Sequence, residues 1–102
     1  MKEKFLQAID NKLKIRVTFD SKEKGRITRT CIPFDFGPSR RIGVIDKSDK
    51  YHVLDLDSPE KSHNLAIGLD QNIDIEVMDI KFDPVEYVKF RINWIYKRDW
   101  DM

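Results

Sequence analysis

The sequence predicts a mainly β fold: a small, strongly bent antiparallel barrel of the SH3/Sm-like type, with five to six strands and an N-terminal helix. Three observations carry this. Leu13–Asp20 alternates apolar and polar residues without a break, the pattern of a strand with one wet face. Arg26–Phe36 (RITRTCIPFDF) is rich in β-branched and aromatic residues and follows the turn residues Ser21–Gly25. Turn signals then recur every several residues to the end of the chain.

The 102 residues suit one domain, divided into a helix at 1–11, a barrel at 13–82 and a C-terminal extension at 83–102. Within Met1–Asn11, Phe5, Leu6 and Ile9 define one apolar face. Asn11 is the expected left-handed cap. In the first strand Leu13, Ile15, Val17 and Phe19 point one way, and Gly25 supplies the positive φ of a hairpin. Arg26–Phe36 is the return strand. Its Pro33 cannot donate to a ladder, so it marks a bulge, an edge or the end of pairing.

After the Gly37-Pro38-Ser39 loop, short strands are predicted at Ile42–Asp46, Tyr51–Asp57 and Ser62–Gly68. Leu69–Asn72 reads as one helical turn or a tight corner. Ile73–Phe82 is the last barrel strand. Its apolar phase switches from odd (Ile73, Ile75, Val77) to even (Met78, Ile80, Phe82), the mark of a bulge or strong coil. Asp83-Pro84 caps a helical turn, and Val88–Tyr96 reads as extended.

Composition narrows the function. Charged residues are 36% and hydrophobic ones 40%, a globular mixture. No apolar run is long enough for a membrane span, and the N-terminus lacks a signal-peptide core. A cytoplasmic protein is the expectation. The single Cys31 rules out an internal disulfide and a cysteine-cluster metal site. It reads as a packing residue. Residues 1–50 hold 13 Lys+Arg against 7 Asp+Glu, and residues 51–102 hold 6 against 11. A basic half favours polyanions, unless the halves interleave in one fold.

Arg29, on the central strand, serves either a phosphate or carboxylate ligand through its planar fork, or a carboxylate such as Asp55, Asp57 or Glu76. Arg40 and Arg41 follow a Gly-Pro loop and are either solvated loop charge or a grip on a backbone phosphate. His52 and His63 have no partners at metal-ligand spacing; no metal and no cofactor is expected. No nucleophile–base set, phosphate-binding glycine loop or metalloprotease motif occurs, so no catalytic residue is assigned and an enzyme is not expected. Near the C-terminus, Tyr87, Phe90, Trp94, Tyr96 and Trp100 interleave with Lys89, Arg91, Lys97 and Arg98. That pattern suits stacking on bases, closure of a sheet edge, or a dimer contact.

Four stretches, taken in order, carry a resemblance. They are FLQAIDNKLKIRVTFD, RTCIPFDF, Tyr51-His52-Val53 and SHNLAIGLDQNIDIEVMDIKFDP. The chain resembles the WYL-type domain, a small Sm/SH3-like β-barrel of many bacterial transcriptional regulators and phage-defence proteins. Arg29 and Pro33 stand where that family has its arginine-to-proline strand, and Tyr51-His52-Val53 stands at its Trp-Tyr-Leu signature. The family's later arginines fall near His63 and near Gln71 or Asn72. The helix-turn-helix usually ahead of the domain is not expected, because the N-terminal helix is too short to be one. The resemblance implies a non-catalytic regulatory module that binds nucleic acid or a nucleotide-like ligand. Its contacts here would be Arg29, Arg40, Arg41, Tyr51 and His63. The alternative is a protein-interaction or homodimerisation module using Phe90, Trp94, Ile95 and Trp100.

Overall fold

The computed structural model describes residues 1–59, 61–90 and 93–100. Glu60 of a predicted turn, and Arg91 and Ile92 of the aromatic C-terminal stretch, lie outside the described residues. The order is α1 (Lys2–Asn11), β1 (Leu13–Ser21), β2 (Gly25–Gly37), β3 (Lys50–Asp55), β4 (His63–Gly68), β5 (Asp74–Lys81) and α2 (Pro84–Tyr87). The strands form one antiparallel sheet in the order β4-β3-β2-β1-β5. The fold is thus mainly β with an N-terminal helix. The sheet is open: β4 and β5 are its edges and do not pair with each other.

β2 organises the sheet. Its first half pairs with β1, from Ser21↔Gly25 to Ile15↔Cys31. Its second half pairs with β3, from Cys31↔Asp55 to Gly37↔Lys50. The register slips between Pro33↔Val53 and Asp35↔His52, leaving Phe34 as the extra residue of a bulge. Pro33 therefore sits beside a bulge and past the end of the β1 ladder, where a missing N–H costs little. The phase switch in β5 has a matching cause. β1 meets β5 at Ile15↔Val77 and next at Leu13↔Lys81, so the slip falls where the apolar phase changes.

Directly paired residues share a face. The inward face thus carries Ile15, Val17, Phe19, Cys31, Tyr51, Val53, Ile67 and Ile75, all buried. α1 covers it with Phe5, Ala8 and Ile9; the Phe5 ring meets Tyr51 edge-on at 4.8 Å. The helix closes one residue later than expected. Lys12, not Asn11, takes the left-handed conformation (φ 56, ψ 48), and its N–H reaches the carbonyls of Ala8 and Ile9.

One expected strand and one expected extended stretch are not found among the described residues. Ile42–Asp46 is loop. β2 pairs directly with β3 through Gly37↔Lys50, so this segment meets no ladder. It turns instead at Arg41–Val44, closed by Val44 N–H to the Arg41 carbonyl (3.3 Å) with Gly43 at φ 89, as a type II turn requires. Val88–Tyr96, in its described residues, is irregular chain that bends back over β2. Asp83 caps α2 as expected, its carboxylate accepting from Val85 N–H at 3.1 Å.

The C-terminal segment is fixed by buried polar groups. The Asp35 carboxylate accepts from the N–H groups of Ile95 (2.8 Å), Tyr96 (2.9 Å) and Phe36 (3.0 Å). Arg98, its side chain fully buried, lies 3.4 Å from the same carboxylate and donates to the carbonyls of Phe34 and Tyr96. Its guanidinium stacks against Trp94 (3.9 Å) and Trp100 (4.7 Å), and Trp100 Nε1–H donates to the Ile9 carbonyl at 2.8 Å. The segment thereby covers the outward side of β2 and reaches the end of α1.

Candidate functional site: a cationic cleft on the outward sheet face

The residues expected to share one site are placed in three regions. Arg29 pairs across the ladder with the inward-facing Val17, and only 16% of its side chain is exposed. It lies 3.7 Å from the Asp55 carboxylate and donates to the Asp57 carbonyl at 2.9 Å. His63 opens β4 opposite Asp55. It is exposed, with Nδ1 3.3 Å from the Lys61 carbonyl. Tyr51 is 3% exposed and packs between Phe5 and Phe36. Burial raises its phenol pKa, with Glu3 adding to the effect. Only Arg40 and Arg41 are brought together at a cleft.

That cleft has a volume of about 660 Å³. Its floor is the outward face of β2, β3 and β4, where Asp35, His52 and Ala66 form one cross-strand row. Lys50 and Asn64 flank the row. One wall is the 38–44 loop with Arg40 and Arg41; the other carries Phe90, Asn93, Trp94 and Ile95. The walls are joined where Arg40 donates to the Asn93 carbonyl at 2.7 Å. Phe90 and Trp94 stand edge to face at 6.0 Å.

Electrostatics favour an anion here. Among the described residues the cleft holds three permanent cations, Arg40, Arg41 and Lys50, and one carboxylate, Asp35. Asp35 is consumed by Arg98 and three N–H groups. Lys50 contacts Asp46 at 3.0 Å, and this lysine with Ser48 holds the exposed Asp46 carboxyl below its usual range, Ser48 chiefly. Among the described residues Arg41 has no carboxylate partner, and neither has Arg40. His52 holds the Gly37 carbonyl through Nε2 at 2.8 Å, which fixes the ring on the floor.

Folding pairs some charges across the two sequence halves. Arg16 pairs with Glu76 (2.8 Å), Arg29 with Asp55, and Asp35 with Arg98. Among the arginines of the described residues, the loop pair is left without a carboxylate partner. Among the residues expected at a partner contact, Trp100 is buried against Phe82 at 5.5 Å, Trp94 and Ile95 are half-buried, and Phe90 is 46% exposed. Sequence reasoning missed Lys50, His52 and Asn93. The alternation of Lys50, His52 and Leu54 opposite the inward Tyr51, Val53 and Asp55 was the available signal; Asn93 had none.

Cys31 is fully buried on the inward face. Burial pushes its thiol pKa far up, and the carboxylates of Asp55 and Asp57 push it further. Among the described residues no three His, Cys, Asp or Glu side chains cluster as metal ligands. No helix of the described chain is long and apolar enough to cross a membrane. Comparison of the chain with family models, with curated proteins and with solved structures gave no match.

Proposed function

We propose that this chain is a non-catalytic binding module for an anionic ligand, of WYL-like regulatory type, and that the ligand is short single-stranded nucleic acid held in the cleft. The observation that carries the reading is the unmatched arginine pair, Arg40 and Arg41, facing Phe90 and Trp94 across a cleft whose only carboxylate among the described residues is already neutralised. Guanidinium groups take phosphates as a fork, and aromatic rings stack on bases without demanding a sequence. Arg40, Arg41 and Lys50 contact the backbone in this reading, and His52 and Asn64 meet the ligand from the floor. Arg29, Tyr51 and His63 are assigned no contact.

The SH3/Sm-like reading belongs to the same proposal. It is supported by the bulged β2 shared between two halves of the sheet and by the return of β5 to β1. The chain is taken to act in the cytoplasm. The test is binding of a fluorescent oligonucleotide at low and moderate salt, which must be saturable and must weaken as salt rises.

A second reading, a protein-interaction or homodimerisation module, draws on the exposed Ile42, Ile45 and Phe90. Light scattering over a wide concentration range tests the homodimer. A strict monomer removes it.

A further inference from the structure

The cleft has one wall that no strand supports. Asn93, Trp94 and Ile95 make no ladder with the sheet. They are held by two residues: Asp35, which takes the N–H groups of Ile95 and Tyr96, and Arg98, which packs on the Trp94 ring at 3.9 Å. Both are buried, at 8% exposure for Asp35 and none for the Arg98 side chain. Burial pulls the Arg98 pKa down to about 10, with Asp35 opposing; the guanidinium remains a cation at neutral pH.

We infer that Asp35 and Arg98 are positioning residues for recognition of a base: they set the aromatic wall, while Arg40 and Arg41 take the phosphate. This rests on the nucleic-acid reading of the cleft and assigns its two halves to different chemistry. A lysine at 98 keeps the charge but loses the planar fork that reaches Phe34, Tyr96 and Asp35 together and the flat surface that orients Trp94. The wall then shifts and the Arg40–Asn93 contact loosens, while Arg41, which among the described residues makes no hydrogen bond to the wall, keeps its place in the loop.

The experiment compares two probes on the full chain. One is a fluorescent deoxythymidine hexamer, which has bases; the other is tripolyphosphate, which has none. For Arg98→Lys the hexamer affinity is expected to fall about tenfold, the scale of one lost base–aromatic stack, while tripolyphosphate affinity stays within about twofold. Arg41→Ala is expected to lower both. A merely structural role for Arg98 would lower both probes together, and that result, or no change in either, overturns the inference. Should far-ultraviolet circular dichroism show that Arg98→Lys does not fold, Trp94→Ala is read by the same criteria. If the wild-type chain binds tripolyphosphate and not the hexamer, the anion site stands and the base wall is wrong. If it binds neither, the nucleic-acid reading itself fails.

Discussion

Arg29 lies against Asp55 on the inward side of the sheet, Nε to Oδ2 at 3.7 Å, with 16% and 4% of the two side chains exposed. The contact closes the end of the core between β2 and β3. Asp55 also accepts from Asp57 N–H at 2.8 Å, and Asp57 accepts from Thr30 N–H at 2.7 Å. The most conspicuous arginine in the sequence is thus engaged by acids of the second half.

Removing one partner of this pair strands the other. Asp55→Ala is expected to destabilise the fold by about 3 kcal/mol, the lower part of the range for a broken buried ion pair. Arg29→Ala should cost somewhat less, since part of Arg29 meets solvent. Urea denaturation reads both. Neither change is expected to alter oligonucleotide affinity more than about twofold in the folded fraction, because Arg29 does not line the cleft.

Cys31 is expected to be inert. The thiolate is the reactive species, and burial beside Asp55 and Asp57 keeps the thiol protonated. A disulfide reagent should modify no thiol in the native protein at pH 8, and one thiol per chain in denaturant. Rapid modification of the native chain would contradict the placement of Cys31 in the core.

Tyr96 ties the C-terminal segment to α1, its hydroxyl donating to the Asp10 carboxylate at 2.6 Å. That bond raises the phenol pKa above its ordinary value of about 10, chiefly by stabilising the protonated form. The folded state then holds the proton more tightly than the unfolded state. The contribution is full below the unfolded pKa and is lost as pH climbs through the raised folded value. The expected outcome is a stability loss above about pH 10 that Tyr96→Phe diminishes, measured by thermal melts across alkaline pH. Both tryptophans of the chain, Trp94 and Trp100, flank Tyr96, so their emission reports the same release.

Two backbone positions give opposite signs. Lys12 pays for a left-handed conformation at the end of α1, and Lys12→Gly is expected to stabilise by about 1 kcal/mol. Gly37, at φ 150, faces Ile95. A Cβ there would sit 2.7 Å from the Ile95 Cδ1 atom, so Gly37→Ala should destabilise by about 1–3 kcal/mol and displace the aromatic wall. Chemical denaturation monitored by tryptophan emission checks both.

The strands were legible because their period is local. Leu13–Asp20 alternates without interruption, and the phase change at Val77–Met78 marked the slip against β1. Pro33 announced the break in β2 pairing for a local reason as well, its missing N–H. Ile42–Asp46 misled because β propensity was satisfied on paper while β2 and β3 left no partner for it. The site was less legible, since it depends on contacts distant in sequence. Arg29 and Arg40 look alike in the chain, and only the fold gives one a carboxylate and leaves the other at a cleft. Asp35 shows no local sign of its role, which is fixed by Ile95, Tyr96 and Arg98 some 60 residues on.

The central claim is that Arg40 and Arg41 make the cleft an anion site. Its most direct measurement is the salt dependence of oligonucleotide polarisation for the wild type and for Arg40→Ala/Arg41→Ala. Three cations on a single strand predict a log–log slope of about −2, and loss of two predicts a slope near −0.7 with much weaker binding at every salt concentration. Absence of binding at low salt, or a double variant that binds as the wild type does, would contradict the account.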